Sequence, residues 1–133
     1  MDDRELMQQA QKAAEGAYSP YSKFRVGAAL LCEDGSVVTG ANVENRSFGL
    51  TICAERSAIV SAIAQGKNKF KALAISCPDA SYPVSPCGAC RQFISEFVGP
   101  DFPIDFAGGQ GETIRSTMGE LFPFDALHEL GQG

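Results

Sequence analysis

Two short segments constrain this chain more than any others: Cys53-Ala54-Glu55 and Pro86-Cys87-Gly88-Ala89-Cys90. Together they offer three sulfur ligands and one carboxyl, which is what a zinc hydrolytic site with one open position and one proton carrier requires. Cys87 and Cys90 are spaced i, i+3, so at the start of a helix both sulfurs face the same way and can hold one ion at about 2.3 Å each. Amide groups at a helix start also favour the thiolate form. Cys53 and Glu55 stand about 200° apart on a regular helix, so they converge only if Cys53 sits at the helix entrance, before the first turn is established. Whatever fold the chain adopts must bring these two segments together.

A CxxC pair alone is shared by redox motifs and structural zinc knuckles, and a thioredoxin-like reading leaves Cys53 and Glu55 without a role. A closed structural site needs a fourth ligand. By residue type the candidates are His128, close to the carboxyl end, and Cys77, which is better explained as a buried strand residue before Pro78. The odd count of five cysteines argues against a disulfide framework. The acidic start Met1-Asp2-Asp3-Arg4-Glu5 lacks the basic-then-apolar layout of a secretory signal, so the expected location is the cytoplasm. No apolar run approaches the roughly 20 residues that span a bilayer, and no membrane association is expected. With a net charge of −5 and 11 scattered Lys and Arg, the chain is a poor match for a nucleic-acid backbone, and a small-molecule ligand is expected instead.

The 133 residues fit a single domain, 1–133. Apolar periodicity predicts a helix over 3–18, then two strands over 24–32 and 36–44 joined by an acidic turn at Glu33-Asp34-Gly35. A second helix over 53–65 carries so little polar surface that it should be buried on most sides, with Gly66 as its stop. A strand over 70–77 follows, then a helix over 87–98 with Pro86 at its start and Gly99-Pro100 at its end. Strands over 102–107 and 112–118 flank Gly108-Gly109-Gln110-Gly111, a loop too short for a parallel crossover, so they should pair antiparallel. Residues 121–130 read as a short terminal helix or coil. The order implies an α/β fold, a three-layer αβα sandwich with a five-stranded mixed sheet.

Cys-Ala-Glu followed after about thirty residues by Pro-Cys-Gly-x-Cys has the form of the zinc deaminase signature in its three-cysteine variant. The match extends to 18–30 (YSPYSKFRVGAAL), Asn42-Val43-Glu44-Asn45, Thr51-Ile52-Cys53-Ala54-Glu55-Arg56 and 85–92 (SPCGACRQ). Over residues 5–123 the chain resembles the small homotetrameric cytidine deaminases of pyrimidine salvage.

That resemblance implies hydrolytic deamination of cytidine and deoxycytidine, with one Zn²⁺ per subunit held by Cys53, Cys87 and Cys90. It implies that a zinc-bound hydroxide attacks C4 while Glu55 shuttles the proton, and that Arg56 offsets the surplus negative charge of three thiolates. It assigns Asn42 and Glu44 to the ribose hydroxyls, Phe24 to the face of the pyrimidine, and the backbone at Ala54 and at Ser85 to Pro86 to the amide edge of the base. It also implies a homotetramer. Two positions depart from the pattern. An aromatic is usual three residues after the proline of the carboxyl-terminal Leu-x-Pro motif, where this chain has Ala126, which leaves Phe124 to reach a neighbouring subunit's site. Position 48 is Phe where many relatives carry Tyr. Two rivals use the same cysteine frame: a nucleoside-antibiotic deaminase of the blasticidin type, and a catalytically silent zinc-stabilised binding module.

Overall fold

A computed structural model describes residues 1–127. The first helix, α1 (Asp3–Ala13), begins where the Asp2 carboxylate accepts the Glu5 N–H at 2.8 Å and continues into a 3₁₀ turn at Ala14–Gly16. The strands and remaining helices follow as β1 (Gly27–Cys32), β2 (Val37–Ala41), α2 (Ala54–Ala64), β3 (Phe70–Ser76), α3 (Gly88–Ser95), β4 (Pro103–Ala107), β5 (Thr113–Thr117) and α4 (Met118–Leu121). One five-stranded sheet runs in the order β2-β1-β3-β4-β5. Only β3 and β4 pair parallel; β4 and β5 are antiparallel, as the short glycine loop between them requires.

Alternation along β1 sends its side chains to the two faces of the sheet. Ala29 joins Leu6 and Ala10 of α1 and Ala74 in a small core, while Ala28, Leu30 and Cys32 join α2 and α3 residues in the larger one. Helices therefore cover both faces, in three layers. Two glycines set how closely they approach. A Cβ on Gly27 would lie 2.0 Å from the Ala10 carbonyl oxygen, and one on Gly40 would lie 2.4 Å from Ala58 N and 2.7 Å from Ala54 O. The backbone of α2 thus rests directly on β2, with its first turn held at a fixed height over the sheet. Gly40→Ala should force these backbones apart and destabilise the fold by about 2–3 kcal/mol. Thermal melting would register this as a midpoint lower by roughly 10 °C, whereas an unchanged midpoint would show that the contact is not limiting.

Several boundaries differ from the sequence expectation. Strands expected over 24–32 and 36–44 are shorter at their outer ends, because the N–H groups of residues 24–26 donate to side chains rather than to a neighbouring strand, and the backbone beyond β2 turns to Tyr18 and Ile52. The turn between them is as expected: Gly35 has φ 90°, and Asp34 accepts both the N–H and the hydroxyl of Ser36. Of the segment expected over 121–130 as a short helix or coil, 122–127 is coil. Among the described residues the last helix is α4, which starts earlier, with the Thr117 hydroxyl accepting from Glu120 N, and ends at Leu121. The remainder of that expected segment, 128–130, lies outside the described residues, as does His128. The second helix is less enclosed than its composition suggests, since Val60 and Ile63 on its outer face are 50% and 40% exposed.

Candidate active site

Both cysteine segments are helix entrances. Cys53 is the residue before α2, with φ −74° and ψ 156°, and Cys87 is the residue before α3, with φ −68° and ψ 167°. Their extended backbone turns each side chain away from the helix it precedes, which resolves the Cys53–Glu55 spacing as the sequence required. Cys90 lies one turn into α3 and is fully buried. The Sγ atoms of Cys53, Cys87 and Cys90 all lie within 4.8 Å of one another, and those of Cys87 and Cys90 are 3.4 Å apart.

The donor set suits a divalent soft-acid cation. A hydrogen bond from the Cys90 thiol, reinforced by the Arg56 guanidinium, lowers the Cys53 pKa to about 5. Cys90, donating to Cys53 and buried beside Glu55, is pushed in the opposite direction. Three thiols this close resist joint ionisation, and a central cation of charge +2 removes that conflict. Three thiolates around Zn²⁺ carry a formal charge of −1, and Arg56 lies where it can balance it: Nη2 donates to Cys53 Sγ at 3.5 Å and to the Thr51 carbonyl at 3.1 Å. The Arg56 Nε is buried without a hydrogen-bond partner.

Glu55, in the first turn of α2, is only 4% exposed, and burial raises its pKa. A carboxyl kept from water beside a metal cradle is suited to carry protons rather than to pair with a cation. Ala54, between Cys53 and Glu55, is fully buried.

The nucleoside-facing candidates surround a single irregular segment. Phe24 is 43% exposed. Asn42 is 8% exposed, with Nδ2 donating to the Phe24 carbonyl at 2.9 Å and Oδ1 accepting from Val26 N at 2.8 Å. Glu44 accepts from Tyr21 N at 2.9 Å, Ser22 N at 3.2 Å and the Ser22 hydroxyl at 2.5 Å, which keeps its carboxylate ionised. Asn42 and Glu44 both turn toward residues 21–26, and both already have partners within the chain. Phe124 does not join this group. It is 91% exposed and lines a groove of about 970 Å³ bordered by Phe97, Pro100 and Gly119.

Two arrangements join elements that sequence reasoning left apart. Arg91 ties the α3 entrance to the end of α4, donating from Nε to Pro86 O at 2.8 Å, from Nη1 to Leu121 O at 2.7 Å and from Nη2 to the Ser85 hydroxyl at 3.2 Å. Its place directly after Cys90 in the cysteine motif was the available clue. Asp79 grips Arg25 across the sheet end, a pair separated by 54 residues for which no spacing rule exists.

A mixed sheet that carries a three-sulfur cradle on two adjoining helix entrances, with a buried carboxyl in the first turn, defines the class of zinc-dependent hydrolytic deaminases. The chain belongs to the cytidine and deoxycytidylate deaminase family, whose zinc-binding region matches residues 1–104. It is 47% identical over 123 residues to a cytidine deaminase of Sporosarcina psychrophila, covering 92% of this chain and 90% of that one. It is 48% identical over 123 residues to a cytidine deaminase of Halalkalibacterium halodurans, covering 92% of each. The crystal structure of cytidine deaminase from Burkholderia pseudomallei superposes with a TM-score of 0.88 at 43% identity, covering 92% of this chain and 98% of that chain. Among the described residues no helix is long and apolar enough to cross a membrane.

Proposed function

We infer that this protein hydrolyses cytidine and deoxycytidine to uridine and deoxyuridine with release of ammonia. The observation that carries this reading is the convergence of Cys53, Cys87 and Cys90, with sulfurs within 4.8 Å of one another, beside the buried Glu55. Held by those three residues, Zn²⁺ supplies the Lewis acidity that makes water nucleophilic near neutral pH. Glu55 takes a proton from the attacking water and delivers it to N3 of the pyrimidine; it then takes the proton of the new C4 hydroxyl and passes it to the amine, so that the C4–N bond breaks, the C4 carbonyl forms and ammonia leaves. Its burial supports the role, because a carboxyl with a raised pKa can both accept and return a proton near neutrality.

Arg56 holds Cys53 and balances the surplus negative charge without touching substrate. Phe24 presents a partly exposed ring to the pyrimidine face, the backbone at Ala54 and at Ser85 to Pro86 reads the amide edge of the base, and Asn42 and Glu44 meet the ribose hydroxyls. Each of those two polar groups keeps spare capacity: the Asn42 amide has one further N–H, and the Glu44 carboxylate has unused lone pairs. A homotetramer fits the uncovered apolar side of the chain, where Val60 and Ile63 of α2 are exposed along with Leu50 and Ile52. In that assembly Phe124, which packs poorly in its own chain, reaches a neighbouring site. Light scattering after size exclusion tests the assembly.

The test of the activity is ammonia release from cytidine, deoxycytidine, cytosine and blasticidin S, measured with zinc content on the same preparation. Turnover of the two nucleosides is expected. A zinc-replete protein inactive on all four would be a binding module rather than an enzyme, and turnover of blasticidin S alone would place it with the antibiotic deaminases.

A further inference from the structure

Phe24 lies in a stretch tied by backbone bonds at its two ends, from Lys23 N to Ser19 O and from Asn42 N to Val26 O, and between them by other residues' side chains. Phe24 N donates to the Ser22 hydroxyl at 3.0 Å, and the Phe24 carbonyl and Val26 N are both bonded by the Asn42 side chain. Arg25 N donates to Asp79 Oδ2 at 2.9 Å. The same carboxylate closes a fork on the Arg25 guanidinium, Oδ2 accepting from Nε at 2.9 Å and Oδ1 from Nη2 at 2.8 Å. Just before Phe24, Lys23 takes φ 66°, a left-handed conformation that a lysine adopts only when its surroundings hold it there. A ring that is 43% exposed has too little packing to fix its own position.

Asp79 belongs to the loop that runs from the end of β3 to Ser85, Pro86 and Cys87. That loop is itself braced. Cβ atoms on Gly108 and Gly109 would meet the carbonyls of Tyr82 and Pro78 at 2.2 and 2.1 Å, so the backbone after β4 lies directly against it. Asn42 therefore registers the Phe24 segment to β2, and Asp79 registers it to the segment that carries a metal ligand. A carboxylate that forks a guanidinium and also accepts the backbone N–H of the same arginine has far better geometry than an ordinary surface ion pair.

We propose that Asp79, acting through Arg25, is a positioning residue for substrate recognition: it holds Phe24 at a fixed distance from the Ser85–Pro86–Cys87 segment, so that the pyrimidine fits between them. The inference rests on the deaminase reading above. The contact made by Phe24 is present in both ground state and transition state, so loosening it weakens binding more than it slows the chemistry.

The experiment compares wild type, Asp79→Ala, Asp79→Asn and Arg115→Ala, the last removing an exposed ion pair with Asp3 as a control. KM and kcat for cytidine, inhibition by uridine, zinc content and melting midpoint are measured on each. Asp79→Ala should raise KM by about tenfold with kcat within about twofold, and should weaken uridine inhibition in proportion. Its zinc should stay at the wild-type level and its midpoint should fall by about 4 °C or less. Asp79→Asn keeps an oxygen for the Arg25 N–H and should recover most of the loss, while Arg115→Ala should match wild type in KM. Unchanged KM in Asp79→Ala, or a joint fall in kcat and zinc with KM unmoved, would overturn the positioning role and leave the deaminase reading standing. A wild-type protein that does not turn over cytidine would overturn both.

Discussion

Glu55→Gln should keep a full complement of zinc and lose kcat for cytidine by on the order of 10⁴-fold, about 5.5 kcal/mol of transition-state stabilisation. The amide matches the carboxyl in size, which matters because the side chain is only 4% exposed and a truncation to Ala would add a cavity to the loss of chemistry. Glutamine cannot take a proton from water and return it, so each transfer assigned to Glu55 fails together. Binding should suffer less, and KM is expected to stay within about fivefold of wild type. Steady-state ammonia release with metal analysis on the same samples gives both numbers. Wild-type turnover in this variant would remove Glu55 from the mechanism; loss of zinc along with activity would mean that the carboxyl supports the cradle instead.

The metal cradle was readable from the sequence because it depends on few residues at short spacings. A cysteine three residues before another at a helix start, and a third cysteine two before a glutamate, leave little geometric freedom, and both cysteine segments do open helices. The number of strands and the antiparallel last pair were readable for a similar local reason, the short loop at Gly108-Gly109-Gln110-Gly111. The strand order was not, because β3 pairs with both β1 and β4, and no local pattern encodes which edges meet. Residues 24–26 and 42–44 look like strand by alternation alone. What ends the β1–β2 ladder there is side-chain competition for the N–H groups of 24–26, from Asn42 and Asp79, and a change of partner at 42–44, whose backbone bonds pass to Tyr18 and Ile52; Asp79 lies 54 residues away from Arg25 in sequence. The apolar outer face of α2 misled in an instructive way: composition implied burial, and within one chain Val60 and Ile63 remain exposed. A hydrophobic helix can be completed by another copy of the chain as readily as by its own core.

Cys87→Ala is expected to abolish measurable deamination and to drop bound zinc below about 0.1 per chain, since two sulfurs and a water-filled gap bind Zn²⁺ far more weakly than three thiolates. The substitution is informative because Cys87 is the exposed member of the cluster. Removing its side chain opens little cavity, so a large fall in melting midpoint reports the lost coupling between metal and fold rather than lost packing. Cys53 and Cys90 would be less clear, being half-buried and buried. Cys32→Ala is the matching contrast: Cys32 is a buried core residue in one cluster with Leu30 and is not among the three clustered sulfurs, and its loss should lower stability by about 1–2 kcal/mol while zinc content and kcat stay at wild-type values. The two variants therefore separate what the sulfurs do as ligands from what they do as apolar volume. A Cys87→Ala protein that melts normally with one zinc per chain would contradict the assignment of Cys87 as a ligand.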